Sequence, residues 1–207
     1  MTQRVIVYID ALNLYHGLRD IGWRHCLWLD IYQLSLNILG KNQRLEKIHY
    51  FTTEVLYDPQ DKYKLKRHRT YLKALRELNK VYIHCGYYQK KERMHHECGK
   101  NHKFVEEKMT DVNIATNLLC DAHDDLFDVA IIISGDSDLV SAVEAISNRF
   151  QNKEAVVYFP PRRSSPRLAS VASRCSYSDE RVFQRSQLPN PFITSHNQKL
   201  WRPSTWQ

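Results

Sequence analysis

No apolar run in this 207-residue chain approaches the ~20 residues that a membrane-spanning helix needs. A helical membrane protein is therefore not expected. The opening residues, Met1-Thr2-Gln3-Arg4, lead straight into a strand-like segment with no signal-peptide pattern, so a cytoplasmic location is expected. Cysteine is sparse and odd in number: Cys26, Cys85, Cys98, Cys120 and Cys175 are widely spaced. That spacing argues against a disulfide framework and fits a reducing compartment. Neither G-x-G-x-x-G nor G-K-[ST] occurs, which argues against a Rossmann dinucleotide site or a P-loop. No internal repeat is present.

What is there begins with charge. Lys and Arg number 30 against 23 Asp and Glu, a formal net charge of +7. The excess favours a polyanionic partner, nucleic acid first, although a basic surface alone also fits an ordinary enzyme. The length suffices for one sizeable domain with a true core.

The chain alternates strands with helices. Arg4 to Ile9 is an unbroken β-rich run, as expected of a strand buried on both faces. Leu29 to Leu39 reads as a helix, and Glu46 to Thr53 as a second strand. Asp58-Pro59 predicts the start of a long helix, with Asp58 as its cap and Pro59 at the first helical position. Val81 to Tyr88 is a third strand, followed by a polar, irregular stretch at 89–106. Val112, Ala115, Leu119, Ala122 and Leu126 form a helical stripe. Asp128 to Ile133 is a fourth strand, Leu139 to Phe150 a helix, and Glu154 to Phe159 a fifth strand. Pro166 to Ala172 reads as a short helix. This order implies right-handed βαβ units and an α/β fold. A domain over residues 1–188, with an insertion loop at 89–106, would precede a tail at 189–207. Trp201 and Trp206 in that tail would either bind a partner or pack back on the domain.

Strand C-termini in a parallel sheet gather at one edge, where ligands bind. Asp10 ends the first strand, Asp136 and Asp138 follow the fourth, and Asp111 opens the helix that begins at the same edge. Each has a structural explanation as a helix cap or a dipole partner. Together they form a set of acids that repels itself unless a cation or protons compensate. Oxygen-only donors suit Mg²⁺ or Mn²⁺.

The segments V-Y-I-D-A-L-N-L-Y-H-G, E-K-M-T-D-V-N-I-A-T-N-L-L and I-I-I-S-G-D-S-D-L resemble, in order and spacing, the signatures of the NYN domain. This is the PIN-like nuclease group that includes the LabA-like (DUF88) proteins. The resemblance spans residues 4 to 190, with Q-L-P at Gln187 to Pro189 similar to the usual end of that domain. It implies a three-layer α/β/α, PIN-like fold on a mostly parallel sheet of about five or six strands. It also implies metal-dependent hydrolysis of phosphodiester bonds, with Asp10, Asp111, Asp136 and Asp138 as metal-binding catalytic acids. Asn13 would orient a ligand or water, and Ser134 and Ser137 would support the acidic loop. The sequence departs at Met109-Thr110, where many relatives carry a glycine after the lysine.

The implied partner is RNA, single-stranded or structured. Lys108 is a candidate phosphate contact. Lys66 and Arg67, Lys90 and Lys91, and Arg162 and Arg163 are candidate phosphate tracks, each with the plainer reading of a solvated face. Tyr87, Tyr88 and Tyr158 are candidates for base stacking. Cys85, His95, Cys98 and His102 offer a Zn²⁺ quartet without C-x-x-C knuckles, beside the plainer reading of a histidine-rich loop. PIN-like domains often form homodimers. Two rivals stand beside the ribonuclease: a non-catalytic RNA-binding or scaffold protein on the same fold, and a different hydrolase on a Rossmann-like sheet.

Overall fold

The computed structural model describes residues 2–56, 59–94 and 101–206, with side chains left undescribed over 90–107. Its centre is β1 (Gln3–Asp10), which pairs in parallel with β2 (Gln43–Thr53) on one side and β5 (Val129–Ile133) on the other. Next to β2 lies β3 (Val81–Met94); next to β5 lie β6 (Glu154–Phe159) and β7 (Arg174–Tyr177), all parallel. With β4 (Asn101–Lys108) the order is β4-β3-β2-β1-β5-β6-β7. Six parallel strands and one antiparallel edge strand make the mostly parallel sheet that the sequence implies.

Alternation along β1 divides the core. Val5, Val7 and Ile9 face one layer, built on α1 (Ala11–Asp20), α2 (Ile31–Ile38), α3 (Lys64–Leu75) and α7 (Glu180–Arg185). Ile6 and Tyr8 face the other, built on α4 (Thr110–His123), α5 (Val140–Arg149) and α6 (Pro166–Val171). Side chains on a strand point to opposite faces in turn, so one uninterrupted apolar run serves both layers.

Two readings of the chain need correction. The stretch 89–106 is not wholly irregular: β3 continues to Met94, and its second half, from Tyr87, pairs antiparallel with β4. This hairpin carries few apolar residues because it extends past the part of β3 that β2 covers, so no alternating core face is required of it. The long helix begins at Lys64, not after Asp58-Pro59. Asp58 lies outside the described residues and Pro59 sits in a turn. The Lys64 amide bonds the Asp61 carbonyl at 3.0 Å, and the Asp61 carboxylate is taken by Arg67, which closes a tight turn ahead of the helix.

Beyond Ser186, β8 (Phe192–Ile193) and β9 (Lys199–Leu200) pair antiparallel, and a final 3-10 turn spans Ser204–Trp206. Trp206 is buried beside Trp28 and Tyr71, with ring centroids 6.3 and 5.7 Å away, so this segment packs back on the domain, against α3 and the loop ahead of α2. Trp201 stays exposed.

Candidate functional site

The sheet's C-terminal edge collects the acids by three routes. β1 ends at Asp10, whose carboxylate caps α1 by accepting from the Asn13 amide at 3.0 Å. β5 ends in a loop whose Asp136 caps the Ser137–Leu139 3-10 turn, accepting from the Asp138 amide at 3.0 Å. The β3–β4 hairpin returns the chain to the same edge, where α4 starts and carries Asp111 in its first turn. One carboxylate oxygen from each of Asp10, Asp111 and Asp136 lies within 4.8 Å of the others. Asp10 is buried; Asp111 and Asp136 are half-buried.

Asp138 stands apart. It is exposed and outside this group, and its backbone serves the 3-10 turn. Ser137 is likewise exposed. Ser134 is fully buried and central: its hydroxyl donates to Asp10 Oδ2 at 2.9 Å and accepts from the Asp136 amide at 3.0 Å. Asn13 ties the two halves together, its Oδ1 accepting from the Gly135 amide at 3.0 Å. A Cβ at Gly135 would lie 1.9 Å from the Arg163 carbonyl oxygen, so the acidic loop is seated directly against the turn after β6.

Lys108 is half-buried at the end of β4, and Met109 follows in the left-handed region with φ 80°. Only glycine adopts that conformation without steric cost.

The proposed phosphate tracks fare unevenly. Arg163 forms an ion pair with Asp20, and the Arg162 side chain donates to the Asp20 carbonyl at 3.4 Å. Arg67 is bound to Asp61, whereas Lys66 is exposed on α3. Lys90 and Lys91 lie in β3, but their side chains fall outside the described residues. Tyr158 is buried and is not available for stacking, while Tyr87 is exposed. Of the zinc quartet, Cys85 is exposed in β3 and His102 pairs with Arg93 along the hairpin; His95 and Cys98 lie outside the described residues.

Sequence reasoning missed a buried polar chain behind the site. Asp121 Oδ2 accepts from the Tyr8 hydroxyl at 2.7 Å and meets His49 Nε2 at 2.9 Å, while His49 Nδ1 lies 2.7 Å from His84 Nε2. Burial pulls the Asp121 carboxyl up, but His49, Tyr8 and Lys47 outweigh it and hold it below the ordinary value. Burial, then the neighbouring His49, pushes His84 down. The two histidines lie in strands 35 residues apart, so only their strand register reveals the contact.

A match to the NYN domain model extends over residues 4–179. The chain belongs to the NYN domain family. This family consists of PIN-like nucleases. No curated protein matches the chain. Among solved structures, a protein of unknown function from Vibrio parahaemolyticus matches with a TM-score of 0.57 at 20% identity, covering 86% of this chain and 94% of that one. At that identity it shows a shared α/β fold and nothing finer. Among the described residues, no helix is long and apolar enough to cross a membrane.

Proposed function

We propose that this NYN protein is a Mg²⁺- or Mn²⁺-dependent endoribonuclease. The observation that carries the reading is the meeting of Asp10, Asp111 and Asp136 within 4.8 Å. Among the described residues the group offers three oxygen donors and no sulfur or imidazole, a set that fits a hard divalent cation. Asp10, Asp111 and Asp136 would hold it. A bound ion would supply charge neutralisation at the phosphate and activate water for in-line attack.

The protein's own groups support this chemistry by positioning. Ser134 and the Asn13 amide fix both oxygens of Asp10 in place. Asn13 holds the Gly135 amide and so sets the height of the Asp136 loop. Lys108, beside the start of α4, is assigned to a substrate phosphate. Asp138, at the exposed rim, is assigned to a second ion or to a water-mediated contact. RNA as the substrate rests on the family and on the net charge of +7.

The test incubates labelled RNAs and single- and double-stranded DNAs with Mn²⁺, Mg²⁺ or EDTA. RNA cleavage that needs the metal and is abolished in folded Asp136→Asn is expected. Equal activity in that variant would sink the mechanism. Failure to cut any substrate would favour an RNA-binding protein that keeps the fold.

A further inference from the structure

Beside the acids lies a cleft that the metal reading does not use. It has two lobes of about 150 and 460 Å³ that share Tyr15, Arg19, Leu27, Lys64, Arg67 and Trp206 as walls. The inner lobe is aromatic and apolar, with Tyr50, Tyr71 and Tyr88 completing it. The outer lobe is cationic: Arg24 joins Arg19, Lys64 and Arg67, and Asp61 is the one acid among its described lining residues. Arg19 lies over the Tyr15 ring at 5.5 Å, an arrangement that presents a guanidinium next to a stacking surface.

The cleft adjoins the catalytic edge. Ala11 and Leu12, the residues directly after Asp10, line its inner lobe. Tyr50 on the same lobe pairs in register with Ile9, the residue before Asp10. Burial also lowers His16 and His68 on its wall, with Arg163 and Arg19 acting on His16 and Glu54 opposing at His68.

An aromatic recess joined to a cationic mouth matches a ligand with a flat ring at one end and an anion at the other. Inorganic phosphate would leave the inner lobe unused, and a neutral ring would leave the arginines unused. We propose that this cleft is a nucleotide subsite: it takes one unstacked base in the inner lobe and that nucleotide's phosphate on Arg19 and Arg24, while Arg67 stays paired with Asp61 on the wall. The inner lobe is a recess and not a flat face, so a duplex would have to surrender a base to use it. The subsite therefore selects single-stranded substrate. Its role beside the acids rests on the nuclease reading, but its occupancy does not.

The experiment measures binding of nucleoside 5′-monophosphates, the matching nucleosides and inorganic phosphate to the full chain in EDTA. The monophosphates are expected to bind at least about tenfold more tightly than either part alone. Arg19→Ala/Arg24→Ala, at two exposed positions, is expected to weaken monophosphate binding by about tenfold with an unchanged circular dichroism spectrum. Asp136→Asn is expected to bind as the natural protein does. Monophosphates binding no better than phosphate, or unaffected by the double substitution, would overturn the subsite. Metal-dependent RNA cleavage without monophosphate binding would remove the subsite and leave the nuclease standing. Monophosphate binding without cleavage of any RNA would do the reverse.

Discussion

Ser134 and Asp10, 124 residues apart, meet in a buried hydrogen bond of 2.9 Å, and the same hydroxyl receives the Asp136 amide. One side chain thus sets the relative position of two proposed ligands. Ser134→Ala removes both contacts and leaves the Asp136 amide without its acceptor. A loss of about 1–3 kcal/mol in stability is expected, with weakened Mn²⁺ binding. Urea unfolding and metal titration on one preparation check both.

Asp111 and Asp138 separate a ligand from a rim acid. Asp111→Asn is expected to reduce metal-dependent cleavage by at least about a hundredfold, on the scale seen when a group acting on the transition-state charge is lost. Asp138→Asn is expected to cost much less, because its carboxylate stands outside the cluster. Equal losses in the two rate measurements would place Asp138 in the working set.

Met109 occupies a left-handed backbone, φ 80°, just ahead of the helix that carries Asp111. That conformation costs a residue with a Cβ about 1–2 kcal/mol, against the ~0.5–1 kcal/mol of chain entropy that glycine brings. Met109→Gly is expected to match or modestly exceed the natural protein in thermal midpoint, by about 1–3 °C for a chain of this size. A calorimetric scan decides; a clear fall would show that the Met109 side chain contributes packing that outweighs the backbone.

Acid is expected to loosen the Tyr8–Asp121–His49–His84 chain. His84 titrates below its ordinary 6.5 in the folded protein, so the unfolded chain binds the proton first, and stability falls as pH drops below that value. Asp121 titrates below its ordinary 3.8, so its contribution, present above that value, is lost on further acidification. His49 and Lys47 face Asp121, and Phe51 and Tyr82 pack against His49. Unfolding free energies measured from pH 7.5 to 3.5 should decline, with His84→Gln flattening the upper part of the slope.

The central sheet was legible because β1, β5 and β6 are apolar runs that no exposed element would carry. The meeting of Asp10, Asp111 and Asp136 was legible because strand ends in a parallel sheet share an edge, whereas Asp138, expected with them, stands outside the group. Other parts were hidden for physical reasons. α1 has a mixed surface broken by Gly17, although Ala11, Leu14 and Leu18 keep helical spacing behind the Asp10 cap. β7 is four exposed residues, too short for a pattern. The hairpin that delivers Asp111 pairs through its own two strands, and its sequence is too polar to announce them. The nucleotide cleft joins α1, β2, α3 and the chain's last residues, a coincidence in space that no local spacing announces.

Three carboxylates drawn within 4.8 Å have a consequence for the protein when no cation is bound. The repulsion exists only in the native state, because the unfolded chain holds these residues far apart. Function and robustness therefore pull against each other at this edge. Asp136→Asn keeps the oxygen that caps the 3-10 turn and removes one charge, so the inactive variant should outlast the active protein on heating in EDTA. Divalent cations, by binding the folded form alone, should narrow that gap.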